Sequence, residues 1–137
     1  MRYLAATDGD QTNEVLLEYL EPRLRPADTV HVVQSFEGQG EAAVVEEDSD
    51  KYVRGREALD GLAERLGESA DVRTHQLARG NEPHEDVLQF AHEHDVDEIV
   101  LGIRQRPGTK RALFGSTAEA VLQGADRPVV ALPLPDS

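Results

Sequence analysis

The sequence has no cysteine, which excludes disulfides, thiolate nucleophiles, iron–sulfur clusters and Cys-type zinc sites. It also lacks any apolar run near the roughly 20 residues that span a bilayer. The apolar stretch before Asp8 is too short for the core of a signal peptide. A cytoplasmic protein with no membrane partner is therefore expected. Positive charge is scarce: 14 Lys and Arg stand against 27 Asp and Glu, for a net charge of −13. Phosphate is repelled by such a surface, so nucleic acid is not an expected partner. Lysine is the scarcest of these, with Lys51 and Lys110 alone among the basic residues and arginine making up the rest. An acidic, lysine-poor surface suits concentrated salt, where the Debye length falls to about 3 Å at 1 M and self-repulsion is screened. A halophilic source is expected.

What is present fits one domain over residues 1–137, long enough to bury a core of its own. Apolar periodicity switches repeatedly between two and 3.6. Tyr3–Thr7 reads as a strand. A helix follows with Val15, Leu16, Tyr19 and Leu20 on one face, and Pro22 and Pro26 end it. Val30–Phe36 is a second strand, and the acidic, glycine-bearing stretch 37–50 is a loop. Lys51–Leu66 is helical, with Tyr52, Leu59, Leu62, Ala63 and Leu66 as its buried stripe. Val72–Leu77 is a third strand. Gly80 and Pro83 open a helix whose inner face is Val87, Leu88, Ala91 and His94. Ile99–Ile103 is an unbroken apolar strand, as a doubly covered central strand should be. After the basic loop 104–114, Ser116–Gln123 is a short helix closed by Gly124, and Pro128–Pro133 is the last strand. Strands alternating with helices imply right-handed βαβ crossovers. The expected fold is α/β: a five-stranded parallel doubly wound sheet.

In such a sheet ligands bind beyond the carboxyl ends of the strands, where the strand order reverses. Two segments at these ends carry chemistry. Gly102 through Ser116 holds Arg104, Arg106, Lys110 and Arg111 and no acid, on an otherwise anionic chain. It runs into Gly115-Ser116-Thr117-Ala118-Glu119, a capping-box pattern at a helix start. The backbone donors and positive dipole end there form an anion site, so the loop can wrap a phosphate chain. It can equally pair with the acidic 37–50 loop, leaving Ser116 as a cap alone. Asp8, at the end of the first strand, can accept hydrogen bonds from a base or ribose or cap the next helix, a role for which Asp10 competes.

Gly102-x-x-Gln105-x9-Gly115-Ser116 resembles the Gly-x-x-Gly-x9-Gly-Ser/Thr motif of the universal stress protein family. Val30-His-Val-Val33 looks like the second strand of that family, and Gly80-Asn-Glu-Pro-His-Glu-Asp like its Gly-x-Pro helix start. Asp97-Glu-Ile-Val-Leu-Gly102 and Arg127-Pro-Val-Val-Ala-Leu132 look like its fourth and fifth strands, so the resemblance covers nearly the whole chain. It implies a Rossmann-like α/β/α sandwich (adenine nucleotide alpha hydrolase-like) that dimerises, and a stress-response or signalling protein that binds ATP or a related nucleotide, with or without Mg²⁺. By position, Asp8 and Val32 would flank adenine and ribose, with Thr7 beside them. Gly102 would admit the phosphates to the backbone, and Gly115, Ser116 and Thr117 would hold phosphate oxygens. Gln105 departs from the motif glycine. If that position needs positive φ, the cost is about 1–2 kcal/mol, or ten- to thirty-fold in affinity. Arg104 and Arg106 would offset part of it through charge-assisted phosphate contacts. The alternative is a dimeric interaction module of the same fold that binds no nucleotide.

Other signals carry less. Gly38-Gln-Gly40-Glu-Ala-Ala43 fits a loose dinucleotide pattern but lies where pyrophosphate is repelled. There is no Gly-x4-Gly-Lys-Ser/Thr loop. His31, His75, His84, His92 and His94 have no metal-ligand spacing and read as surface or cap residues. Nothing marks a catalytic base, so at most slow hydrolysis of bound ATP is expected. The last strand is an edge, and Val129, Val130 and Leu132 offer a homodimer seam there, while Pro133 and Pro135 limit pairing at its end.

Overall fold

The computed structural model describes residues 1–7, 10–35, 50–77, 82–103 and 116–134. Strands β1 (Arg2–Ala6), β2 (Thr29–Ser35), β3 (Asp71–Leu77), β4 (Glu98–Ile103) and β5 (Val129–Pro133) alternate with helices α1 (Asp10–Leu20), α2 (Asp50–Leu66), α3 (Pro83–Glu93) and α4 (Ser116–Gly124). The sheet order is β3-β2-β1-β4-β5. Every pairing is parallel, with Ala6 opposite Val33 and Leu101 at the centre.

Strand alternation divides the core between the two faces of the sheet. Tyr3, Ala5, Val30, Val32 and Val100 pack against Leu16, Leu17 and Leu20 of α1 and Leu59, Leu62 and Leu66 of α2. Leu4, Val33, Ile99, Leu101 and Ile103 pack against Val87, Phe90 and Ala91 of α3 and Ala118 and Val121 of α4. The apolar residues of β4 divide between the two sets, so the unbroken run expected at 99–103 is a doubly covered strand. On α1 the buried stripe is rotated from the expected one. Leu17 is buried, while Val15 and Tyr19 are half-buried, because Tyr19 turns its hydroxyl outward to donate to Glu98.

Local chemistry fixes the ends of α3. Pro83 occupies its first turn, and Glu82 and Glu85 form a reciprocal capping box. At the far end Asp95 takes a left-handed φ of 49°. The chain then reverses, with the Val96 amide donating to the Ala91 carbonyl. The Arg127 guanidinium, next to the start of β5, donates to the carbonyls of Ala91 and Val96 at 2.9 and 2.8 Å. That bond set ties the end of α3 to the β5 side of the sheet.

Candidate functional site

The order of the strands reverses between β1 and β4. From β1 the chain crosses through α1 to β2 on one side; from β4 it crosses through α4 to β5 on the other. α1 and α4 lie on opposite faces, and both begin at the carboxyl end of the sheet. The N-termini of α1 and α4, each a positive dipole end, therefore stand on either side of the strand reversal. The strand reversal that sequence reasoning expected is present between β1 and β4.

On the α1 side the strand reversal has a polar floor. Thr7 is buried at the end of β1, and its amide extends the sheet ladder by donating to the Val33 carbonyl at 2.9 Å. Its hydroxyl donates to the side-chain carbonyl of Asn13 on α1. The Asn13 amide nitrogen in turn donates to the Ala58 carbonyl of α2 at 2.9 Å. Thr12 and Asn13 are both buried. A buried polar group is tolerated when its hydrogen bonds are made, and this chain of bonds joins the end of β1, α1 and α2 beside the strand reversal. Sequence reasoning missed Thr12 and Asn13. The available signal was their position in the first turns of a helix that follows a central strand.

Gly102 lies on β4 beside this floor. A Cβ there would come within 2.8 Å of the Leu134 side chain and 3.3 Å of the Thr12 methyl. The missing side chain thus lets α1 and the segment after β5 close over β4, a packing reason for glycine that the motif does not disclose. Leu134 is locked there by its amide, which donates to the Ile103 carbonyl at 2.8 Å.

The remaining expected residues separate. Thr117 is exposed in the first turn of α4, and Ser116 is the first residue of that helix. Thr7, Gly102 and the start of α4 thus stand at the same end of the sheet. Val32 is placed differently from the expectation that it flanks adenine and ribose. It is wholly buried in the α1–α2 core, in register with Ala5, three residues short of the end of β2. Its side chain backs the sheet and is closed to a ligand. Asp8, Arg104, Gln105, Arg106 and Gly115, and the loops on which they lie, are outside the described residues. So is most of the acidic 37–50 stretch.

A second polar group lies across the sheet. His31 of β2, His75 of β3 and His94 at the end of α3 gather around Phe90. The expectation of surface or cap histidines holds for His94, which caps α3, and fails for His31, which is 5% exposed. The register sets His31 opposite Leu4 and Arg73, and His75 opposite Val33. Spacing along the chain could not show this meeting, because it is made by the pairing of β2 with β3.

The universal stress protein family model matches residues 1–133. Universal stress protein MJ0531 of Methanocaldococcus jannaschii is 32% identical over 81 residues, a segment that is 59% of this chain and 47% of that relative. The match therefore spans about half the length of that protein. A solved universal stress protein from Archaeoglobus fulgidus superposes with a TM-score of 0.76 at 31% identity, covering 96% of this chain and 97% of its own. A universal stress protein structure from the same organism in complex with dAMP superposes with a TM-score of 0.69 at 30% identity, covering 96% of each chain.

Proposed function

The chain belongs to the universal stress protein family, and from that premise we propose that it binds ATP or a related adenine nucleotide beyond the carboxyl ends of β1 and β4. The observation that carries the reading is the reversal of strand order with two helix N-termini beside it. An anion is favoured at such a place by fixed backbone donors as well as by charge. The dAMP complex of a relative 30% identical over nearly the full chain supports the same ligand class.

In this reading Thr7 and Asp8 lie beside the base and ribose. Gly102, Gly115, Ser116 and Thr117 lie along the phosphates, and Arg104 supplies charge to them. Val32 acts from behind as part of the wall. The ligand is a signal rather than a substrate for rapid turnover, and Mg²⁺ enters with the phosphates if the nucleotide is a triphosphate. The protein acts in the cytoplasm as a single domain in stress response or signalling. It dimerises through β5, whose Val129, Val130 and Leu132 are half-buried on an edge strand. Val130→Arg should convert that dimer to a monomer in sedimentation; an unchanged dimer rejects the seam. The acidic, lysine-poor composition fits a halophilic source. Stability should then rise between dilute and molar KCl, and a flat response removes that inference.

The test of the ligand is to purify the protein in concentrated KCl, denature it and identify the released small molecules by mass spectrometry. An adenine nucleotide near one per chain is the expected result. An empty protein that also ignores millimolar Mg·ATP would overturn the reading in favour of a nucleotide-free interaction module.

A further inference from the structure

The histidine corner lies on the face of the sheet opposite the polar floor and has no part in the proposed nucleotide site. The His31 and His75 rings are 5.2 Å apart between centroids, and the His31 and His94 rings 5.0 Å. His94 stacks on Phe90 at 3.8 Å and 15°, and Phe90 is itself buried. Among the described residues no group of three or more His, Asp or Glu is arranged to hold a metal ion. The chemistry left to three adjoining imidazoles is proton uptake.

The hydrogen bonds set what each proton does. His31 Nδ1 and His75 Nε2 are 3.1 Å apart, and one must be a bare acceptor for that bond to exist. If both rings are protonated, both nitrogens are donors and the contact becomes repulsive. The His94 Nδ1–H donates to the Phe90 carbonyl at 3.0 Å, which anchors that ring to its own helix. The surrounding charges do not compensate. β3 presents Arg73, opposite His31, and Asp71, which holds Arg73 at 3.3 Å. β1 presents Leu4, with exposed Arg2 two residues back on that face. α3 presents His94, with Glu93 exposed beside it, and buried Asp86 one turn before Phe90. The acid that acts on His31 is Asp71, which is exposed and engaged by Arg73.

We propose that His31, His75 and His94 form an acid-sensitive clasp, which holds the β3 edge and the last turns of α3 to β2 while neutral and releases them on protonation. Burial is the largest influence on His31, followed by His75 and His94, and together they push its pKa down to about 4. Burial, His94 and Arg73 lower that of His75 as well. Because the ordinary histidine value is about 6.5, the open form binds more protons than the closed one between these limits. Closure is therefore favoured above pH 6.5 and weakens as pH falls toward 4. His31 alone raises the opening equilibrium about twenty-fold between pH 7 and pH 5.

The test is amide hydrogen exchange of the intact protein at pH 7 and pH 5, each normalised to intrinsic rates. Protection of residues 71–77 and of the end of α3 should fall at least twenty-fold, while β1 and β4 hold theirs. The His31→Leu variant should reduce the pH effect to a few-fold. Imidazole NMR of the unmodified protein gives a readout that does not need the variant to fold: the His31 ring should remain neutral at pH 5. Equal normalised protection at the two pH values, a pH effect undiminished in His31→Leu, or a His31 ring charged at pH 5 with β3 still protected would each overturn the proposal.

Discussion

Two polar groups, one buried and one partly buried, lie on opposite faces of one sheet, and they solve the same problem differently. Thr7, Thr12 and Asn13 lie under the strand reversal, and none of them titrates. The bonds of Thr7 and Asn13 run from one element to the next until the Ala58 carbonyl closes the series. His31, His75 and His94 lie near the β3 edge, and each carries an imidazole. Both groups replace apolar side chains in an otherwise apolar core. The first is indifferent to pH and ties the end of β1 to α1 and α2. The second is stable only while His31 and His75 stay neutral. A buried polar group thus acts as scaffold or as sensor according to whether protonation can change its hydrogen bonds.

Phe90→Ala should break the comparison hardest. It removes the ring on which His94 stacks and against which His31 and His75 pack, and a buried Phe→Ala change costs about 3–5 kcal/mol. Urea unfolding should show that loss. A cost under about 1 kcal/mol would mean that the histidines do not depend on Phe90 for their arrangement.

Asn13→Ala should cost less, about 1–3 kcal/mol, because it leaves the Ala58 carbonyl and the Thr7 hydroxyl each short of a bond. The diagnostic feature is that the loss is the same at pH 5 and pH 7. A loss that grows with acidity would erase the distinction between the two groups.

The smallest effect is expected at Gly55→Ala on α2. The Gln34 side chain lies against Gly55, where a Cβ would stand, and it accepts a bond from Gln76 at 3.2 Å. The flexible amide must swing away, at an overpacking cost of about 1–3 kcal/mol. The better helix propensity of alanine returns about 1 kcal/mol. A net destabilisation near 1 kcal/mol is expected by thermal unfolding, and a net gain would show that the Gln34–Gln76 pair contributes nothing.

The fold was legible because its signals are local. The apolar run at 99–103, the Pro83 helix start and the alternation of the two periods each appear within a few residues. For the same reason Thr7 and Gly102, two of the residues expected at the site, were placed at the ends of recognisable strands. What escaped notice depends on pairing across the sheet. His31 and His75 meet only through the β2–β3 register. Val32 fits a strand motif, yet the pleat turns it into the core. Gly102 reads as a phosphate glycine, yet the approach of Thr12 and Leu134 already requires it. Each is a tertiary fact superimposed on a correct local reading.

The central claim is that the nucleotide occupies the strand reversal and not the histidine corner. Titration of AMP into the labelled protein, followed through assigned backbone amides, tests it most directly. The account predicts saturable shifts at Thr7, Thr12, Gly102 and Thr117 with His75 and His94 unmoved. Shifts centred on the histidine corner, or none at millimolar AMP, would contradict it.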